Sequence, residues 1–444
     1  MNRYAMEVGA DAPAADHSEV GRLYARLTWR FIPFLMLCFL AAYLDRINVG
    51  FAKLQMMSDL ALSDAVYGFG AGVFFLGYFI FEVPSNLLMA RFGARRWISR
   101  IMISWGIISC GMVFVTDPIS FYVMRFLLGL AEAGFLPGVI LYLTYWFPAA
   151  RRGRTMGFFY TALALAGVIG GPLSGAIMHY MADVGMMKAW QWLFVLESLP
   201  SILLGVIALF YLDDGIDQAK WLSAREKGLL KAEIAADERA KSHIPMGRLL
   251  LHPRLWQFTL IFFALNLANY GLSFWLPSII RNLGVADTFY IGLITTLPNI
   301  CAIALMLVLT ASADRTRKRR LHIGIAFVLG ALGLTLSVLM QDTASLSIVG
   351  LCLATAGILS VYPLFWSLPT SVLGGMAAVA GIALINSLAN LAGFFGPWIV
   401  GLIKDWTGST NYAMLSLAGV LVAAAMLVSL VPAPPATDSS ESDV

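Results

Sequence analysis

The sequence predicts an all-α membrane protein with twelve transmembrane helices, arranged as two pseudo-symmetric six-helix bundles with both termini in the cytoplasm. Three observations support this prediction. The composition is too apolar for a water-soluble body, apolar runs of membrane-spanning length recur along the chain, and basic residues are concentrated in alternate loops. Landmarks that repeat at a nearly constant offset add the division into two bundles.

The composition indicates that much of the surface faces lipid. The 444 residues are 59% hydrophobic and only 13% charged, and the mean hydropathy is +0.78. Soluble domains usually carry about 25% charged residues. At half that fraction, so long a chain has too little polar surface to coat a water-soluble body. The net charge of +4 is explained by cationic loops that face anionic lipid, so we expect no nucleic-acid partner.

Apolar runs of about 20 residues, the length that crosses a hydrocarbon core of about 30 Å, recur along the chain. We predict spans at 30–50, 66–88, 97–115, 118–141, 154–180, 191–211, 254–280, 287–311, 321–341, 345–370, 376–403 and 411–431. Only Gly374-Gly375 and a few small residues divide the segment 345–403. The first run follows a polar tail and lacks a small-residue cleavage site, which favours a span over a cleaved signal peptide.

The placement of lysine and arginine predicts the orientation. With both termini in the cytoplasm, 24 of the 30 basic residues fall in cytoplasmic segments and four in outer loops. The outer four are Lys53, Lys188, Arg281 and Lys404, and the two inside spans are Arg46 and Arg125. This asymmetry follows the positive-inside rule and supports an even number of spans.

The longest hydrophilic stretch separates six spans from six spans. We therefore predict a cytoplasmic tail at 1–28, a first bundle at 29–211, a cytoplasmic linker at 212–253, a second bundle at 254–431 and a disordered tail at 432–444. Arg91 and Arg315 begin matching basic loops 224 positions apart, and Pro172 and Pro397 lie in matching Gly-Pro motifs 225 positions apart. The repeated offset predicts a duplicated six-helix unit, in which Asn269-Tyr270 replaces the charged pair Asp45-Arg46.

Six ionisable residues fall inside the predicted spans, where a charge is costly and each becomes a candidate functional group. They are Asp45, Arg46, Glu82, Arg125, Glu132 and Glu197. Asp45 and Arg46 are adjacent, so their side chains point about 100° apart and should meet different partners. Arg125 and Glu132 are seven residues apart and share one helix face.

These residues indicate an anion site served by acids that carry protons. A guanidinium binds a carboxylate bidentately, and we expect Tyr43 and Tyr78 to line the same cavity. The alternative is a buried structural network of ion pairs. For Glu82 and Glu197 we expect a structural or gating role instead of substrate contact.

The second half offers neutral polar and aromatic groups in place of charge. The polar groups are Asn266, Asn269, Tyr270, Ser273, Asn386 and Asn390, and the rings are Phe274, Trp275, Tyr362, Phe365 and Trp366. Ordinary helix packing explains them equally well.

Other classes of chemistry are not indicated. The four cysteines lie in apolar runs without CxxC spacing and are typical of small packed side chains. There is no P-loop, nucleophile elbow or metal-ligand cluster, so we expect no enzyme activity, no metal and no organic cofactor beyond the proton as coupling ion.

Several motifs resemble those of a known family. They are YLDRINVGFA at 43–52, VPSNLLMARFGARRW at 83–97, RFLLGLAEAGFLPGVILYLTYWFPAARRGRTMG at 125–157, SFWLPSII at 273–280 and SADR at 312–315. On these motifs the chain resembles the major facilitator superfamily, and within it the anion:cation symporter family, over essentially its whole length. Its C-terminal stretch looks closest to the tartrate, phthalate and hydroxyphenylacetate branch.

The resemblance implies proton-coupled uptake of a small organic anion by alternating access, performed by a monomer in the bacterial inner membrane. The anion would be a mono- or dicarboxylate, such as an aromatic or hydroxy acid. By the family's motifs, Asp45 and Glu132 match the proton sites, and Arg46 faces the substrate carboxylate. The further expected substrate residues are Tyr43, Tyr78, Arg125, Asn269, Tyr270, Trp366, Asn386 and Asn390. The expected gating or structural residues are Glu82, Arg91, Arg95, Glu197, Asp314 and Arg315.

The chain departs from the superfamily pattern in one cytoplasmic loop. The general motif has a glycine four residues before an Asp-Arg pair, whereas Asn86 and Ala90 stand at the glycine and aspartate positions here. The second-half copy keeps Asp314-Arg315. An exchanger or facilitator of the same fold and a transport-inactive sensor are the alternatives to a symporter.

Overall fold

A computed structural model describes residues 17–239, 252–366, 368–369 and 375–431 of the chain. Helices form its regular structure. The first half contains α1 (His17–Ile47), α2 (Val49–Asp59), α3 (Asp64–Phe92), α4 (Ala94–Cys110), α5 (Pro118–Glu132), α6 (Phe135–Thr144), α7 (Ala149–Tyr180) and α8 (Ala189–Tyr211). A short 3-10 helix, Gly111–Phe114, follows α4.

The linker and the second half continue the helical pattern. They contain α9 (Ala224–Arg239), α10 (Pro253–Ser273), α11 (Leu276–Asn282), α12 (Thr288–Thr316), α13 (Arg319–Leu339), α14 (Ala344–Phe365), α15 (Gly375–Asn390), α16 (Ala392–Thr407) and α17 (Asn411–Ser429). Helix α1 begins inside the predicted N-terminal tail, and the predicted C-terminal tail at 432–444 lies outside the described residues.

Eleven helical segments among the described residues are long and apolar enough to cross a membrane. They correspond to eleven of the twelve predicted spans. The remaining span, 154–180, falls on α7, a helix of 32 residues. The division predicted at Gly374-Gly375 falls between α14 and α15, where Gly374 is outside the described residues.

Four spans predicted as continuous are interrupted. The first breaks between α1 and α2 at Asn48, and the fourth breaks between α5 and α6. The second half has a matching break between α10 and α11, and a break between α15 and α16 that has no counterpart in the unbroken α7. At the fourth span, Gly134 has φ +85°, and a Cβ there would lie 2.3 Å from the Ser85 hydroxyl oxygen. The apolar sequence hides these breaks because residues on both sides of them are equally hydrophobic.

The two halves pack with the same internal pattern. In the first half α4 packs on α8, α3 on α5 and α1 on α7. The second half repeats this with α13 on α17, α12 on α14 and α10 on α16. The halves meet where α3 packs on α16 and where α7 packs on α12. Helix α12 is the second-half counterpart of α3, and α16 belongs to the counterpart of α7, so the internal symmetry relates the two contacts. This arrangement fits the duplicated unit that the repeated offset predicts.

Glycines permit the close approach of the two halves. A Cβ on Gly68 of α3 would lie 2.4 Å from the carbonyl oxygen of Pro397 on α16. A Cβ on Gly171 of α7 would lie 2.0 Å from the Thr295 hydroxyl oxygen on α12. Small residues of this kind let helix backbones touch inside a membrane.

The linker helix α9 is attached to the start of α1. Arg26 donates to Glu226 at 2.5 Å, and the Tyr24 hydroxyl donates to Glu233 at 2.7 Å. Ser223 and Glu226 form the reciprocal bonds of a capping box at the start of α9. The linker is therefore anchored to the first bundle.

Candidate functional site

The centre of the candidate site is an ion pair between Arg46, in the last turn of α1, and Glu132, the last residue of α5. The Arg46 guanidinium donates to the Glu132 carboxylate, and the two side chains are 15% and 2% exposed. Among the described residues, Arg46 Nε and Glu132 Oε2 have no hydrogen-bond partner. Each member of the pair thus keeps one buried polar atom available for another ligand.

Aromatic rings surround the Arg46 guanidinium. Its Cζ lies 5.3 Å from the Phe74 ring centroid, 5.8 Å from Phe75 and 5.5 Å from Tyr78. The Phe75 ring in turn lies 4.6 Å from Tyr270 of the second half. Cation–π attraction holds the guanidinium among these rings, which connect it to the other bundle.

Arg125 is a second cation, which is fully buried and lies about two turns before Glu132 on α5. Its Nη2 donates to the Ala71 carbonyl at 3.2 Å, and its Cζ lies 5.1 Å from the Phe74 ring. Nε and Nη1 of Arg125 have no hydrogen-bond partner within the described chain. Phe74 therefore lies beside two guanidinium groups, those of Arg46 and Arg125.

Asp45 has partners different from those of Arg46, as their spacing predicts. It accepts hydrogen bonds from the Ser109 hydroxyl on α4 and from Asn48 Nδ2, the latter at 3.3 Å. Its Oδ2 has no partner in the part of the chain that is described. Asn48, at the break between α1 and α2, is a residue that sequence reasoning missed.

Glu197 lies in the interior of the first bundle. The Ser174 hydroxyl on α7 donates to its Oε1 at 2.7 Å, and Glu197 is 3% exposed. This placement joins α7 to α8 within one bundle. The residue was expected to have a structural or gating role, and its hydrogen bond with Ser174 lies within the first half.

The second-half candidates include a hydrogen-bonded asparagine, a packed tryptophan ring and two half-buried asparagines. Asn266 donates to the Ala389 carbonyl at 3.2 Å and accepts from the Tyr362 hydroxyl at 2.7 Å, so it joins three helices. Trp366 packs 4.7 Å from Phe262. Asn386 and Asn390 are half-buried on α15, near the Ala389 carbonyl that Asn266 binds.

A cavity of about 60 Å³ lies between the two halves. Its polar lining comes from Tyr43, Asn269, Ser273, Thr295, Asn299 and Thr355. Tyr43 and Asn269 are the members of the predicted substrate set that line it, whereas Arg46 is near Tyr43 in sequence but lines no part of it. Asn299 and Thr355 were missed, because a neutral polar residue in a span has no distinctive sequence pattern.

The predicted gating residues lie apart from each other. Glu82 accepts from the Ser387 hydroxyl at 3.1 Å and so joins α3 of the first half to α15 of the second. The Arg95 backbone N–H donates to Asp214 at 2.9 Å, within the first half and its linker. Asp314 pairs with Arg319 at 3.3 Å within the second half. Arg91 and Arg315 are exposed.

A charged group that joins the outer ends of the two halves was not predicted. We call it the outer cluster: Lys53, Asp64, Trp275, Lys404 and Asp405. Lys53 Nζ lies 2.8 Å from Asp64 and 3.3 Å from the Trp275 ring centroid, and Lys404 Nζ lies 3.1 Å from Asp64. The Asp405 carboxylate accepts the backbone N–H groups of Asp64 and Ala65 at 3.1 Å and 2.9 Å. Lys53, placed in an outer loop from the sequence, is in fact a buried residue of α2.

Comparison with known proteins identifies the family. Residues 35–397 match the model of the Major Facilitator Superfamily. The chain belongs to this superfamily. It is 48% identical to the putative metabolite transport protein NicT of Pseudomonas putida, over 94% of this chain and 97% of that protein. It is 44% identical to a putative tartrate transporter of Agrobacterium vitis, over 91% of this chain and 94% of that protein.

The fold of this superfamily member is also shared with solved structures. The inward open conformation of the xylose transporter XylE from Escherichia coli aligns with a TM-score of 0.73 at 13% identity, covering 93% of this chain and 98% of that one. The predicted superfamily and the all-α fold are confirmed. The protein is therefore a multi-pass membrane transporter.

Proposed function

We propose that this transporter couples the inward movement of protons to the uptake of a small organic anion, a mono- or dicarboxylate, across a bacterial inner membrane. The observation that carries the proposal is the buried Arg46–Glu132 ion pair, in which each partner keeps one polar atom that makes no hydrogen bond to any described residue. A guanidinium held this way can exchange one carboxylate for another.

Competition for Arg46 would produce the coupling. While Glu132 is ionised, it occupies the guanidinium, and a substrate carboxylate would have to displace it. A proton on Glu132 neutralises that partner and leaves Arg46 as an unpaired cation in a medium of low dielectric constant, which is costly. A substrate carboxylate then relieves this cost through bidentate hydrogen bonds. Proton and anion would therefore bind together.

The proton supplies the driving force for uptake. Each proton that enters contributes about 2.3 kcal/mol per 100 mV of membrane potential. Each unit of pH difference adds about 1.4 kcal/mol. The transport cycle would alternate the access of the site as the two halves move about the α3–α16 and α7–α12 contacts.

Two features support a carboxylate with further polar or aromatic groups. The inter-bundle cavity offers neutral hydrogen-bonding side chains, among them Asn269, Asn299 and Thr355, which suit hydroxyl groups. The rings of Phe75 and Tyr270 beside Arg46 suit an aromatic body. A relative named as a putative tartrate transporter supports the same substrate class.

The test uses purified protein in liposomes with labelled L-tartrate and 4-hydroxyphenylacetate. An acid-outside pH gradient should drive accumulation by the wild type. Glu132→Gln should abolish this driven uptake yet keep counterflow, because the neutral side chain mimics the protonated state permanently. Asp183→Asn, at an exposed acid of an outer loop, is the matched control. Driven uptake that survives in Glu132→Gln would refute the proposal, and counterflow that ignores pH in the wild type would favour an exchanger.

A further inference from the structure

Two buried carboxyl groups lie on helices of the first bundle that pack on each other, α1 and α8. One is Asp45, and the other is Glu197 on α8. Both have one oxygen bound by a serine hydroxyl, from Ser109 and Ser174 respectively. Asp45 Oδ2 and Glu197 Oε2 have no hydrogen-bond partner among the described residues.

The Asn48 side chain connects the two acids. Its Nδ2 donates to Asp45 at 3.3 Å, and the same side chain interacts with the Glu197 carboxyl group. The carboxyl groups of Asp45 and Glu197 are also within range of direct electrostatic interaction. Asn48 Oδ1 has no partner in the described chain, so the amide has spare capacity to accept a hydrogen bond from a protonated acid.

No cation described in the structure lies within ion-pair distance of either acid. The helices that pack on α8 are α1, α2, α4, α7 and the 3-10 helix Gly111–Phe114. On them, Lys53 is paired with Asp64 and His179 with Asp287. Arg46 is occupied by Glu132. Arg125 interacts with Asp45 only through space, with no hydrogen bond between them.

This arrangement favours a shared proton. Two ionised carboxylates close together in an apolar interior repel each other and lose their hydration. A single proton on the pair removes one charge and lets the protonated oxygen donate to Asn48. Titration then belongs to the pair and not to either residue alone.

We propose that Asp45 and Glu197 form one carboxyl pair that takes up and releases a coupling proton, so that Glu197 is a proton-holding residue of the transport cycle. The inference rests on the proposed proton-coupled uptake. The proton enters from the outer solution, is held between the two carboxyl groups while the anion is bound, and leaves to the inner solution with the anion. With the proton on Glu132, about two protons would accompany each anion.

Membrane potential distinguishes two protons from one. A monoanion that moves with two protons carries a net positive charge inward, so an inside-negative potential accelerates uptake. In Glu197→Gln the pair loses one carboxyl group and with it the repulsion that favours its proton, so we expect about one proton to remain per anion. Uptake should then respond to pH but no longer to potential.

The transport experiment uses liposomes with labelled 4-hydroxyphenylacetate and an internal pH dye, with valinomycin to set the potential. We expect the proton-to-anion ratio to fall from about two to about one in Glu197→Gln, with pH-driven uptake retained. Glu132→Gln should instead lose driven uptake, because Arg46 is then free to bind the anion whether or not the pair holds its proton, and this separates failure of this inference from failure of the proposed function. A Glu197→Gln protein with an unchanged ratio and an unchanged response to potential would overturn the inference.

An infrared measurement tests the pair without transport. Wild-type protein should show a carbonyl band of a buried protonated carboxyl group that titrates and is absent in Glu197→Gln, while Asp183→Asn keeps it. An identical band in Glu197→Gln would contradict the shared proton. Ser174→Ala keeps the carboxyl group and removes its 2.7 Å hydrogen bond. It should shift the pH at which the band titrates, and an unshifted band would also count against the pair.

Discussion

The Arg46 guanidinium donates to the Glu132 carboxylate, so the expected substrate ligand and the expected proton site are bound to each other. The two residues lie 86 positions apart and meet because α1 and α5 both end at the same depth of the bundle. This contact gives the transport proposal a physical form. The proton and the substrate need no separate signal between distant sites if the proton binds Glu132, the carboxylate with which the substrate competes for the Arg46 guanidinium.

Arg46→Lys tests whether bidentate geometry matters in that competition. Lysine keeps the positive charge but presents a point charge without the planar pair of donors. We expect KM for L-tartrate counterflow to rise by about tenfold or more, which corresponds to about 1.4 kcal/mol. Arg317→Lys, at an exposed position after α12, is the control. An unchanged KM in Arg46→Lys would show that the anion is bound elsewhere.

The outer cluster predicts a conformational effect of Asp64→Asn. Asp64 is the acid that both Lys53 and Lys404 contact, so its loss leaves two ammonium groups close together. Removing one partner of a buried pair costs about 3 kcal/mol or more. We expect the outer ends to separate, because that movement exposes the lysines to water.

Spin labels can measure this separation. Ser58 and Thr407 are exposed outer positions in opposite halves, and Cys301 is the exposed native cysteine to remove. Electron–electron distances between labels at these positions should lengthen or broaden in Asp64→Asn and stay unchanged in Asp183→Asn. Identical distributions in Asp64→Asn and the wild type would mean that the outer cluster does not hold the halves together.

The features predicted from sequence were those that long runs of residues determine. Membrane spans depend on about twenty apolar residues each, so small errors at the ends do not hide them. The different partners of Asp45 and Arg46 followed from helix geometry alone. The breaks at Asn48 and Gly134 were not predicted, because each is a local change of backbone direction inside uniformly apolar sequence.

The pairing of side chains was beyond sequence reasoning for a different reason. Lys53 was assigned to an outer loop because charged residues normally lie beyond the end of a span. In the structure Lys53 belongs to α2, and Asp64 and the Trp275 ring compensate its charge. Likewise, Glu197 had no predicted partner, and its hydrogen bond comes from the Ser174 hydroxyl on the neighbouring helix α7. Such contacts join residues far apart in the chain, so they depend on helix packing and not on local pattern.

Close contact between α7 and α12 predicts the effect of Gly171→Ala. The added Cβ would lie 2.0 Å from the Thr295 hydroxyl oxygen and 2.6 Å from the Gly292 carbonyl oxygen, so the two halves would have to separate. We expect lower transport rates and a lower thermal unfolding temperature. Gly419→Ala is the matched control, since its Cβ would have no atom within 4 Å. Equal unfolding temperatures for the two variants would show that the contact is not tight.

The hydrogen bonds of Glu226 in the linker predict that the stability of α9, outside the membrane, depends on pH. The Ser223 backbone N–H, then the Ser223 hydroxyl and Arg26, hold the pKa of Glu226 below its usual value. A lowered carboxyl pKa stabilises the folded linker above the ordinary pKa of about 4.3, and that stabilisation is lost as pH falls through the shifted value. Amide exchange in α9 should therefore accelerate below about pH 4 in the wild type, relative to intrinsic exchange rates. Glu226→Gln should already exchange faster at neutral pH and show a weaker dependence on acid. The same acid dependence in both proteins would show that another group anchors the linker.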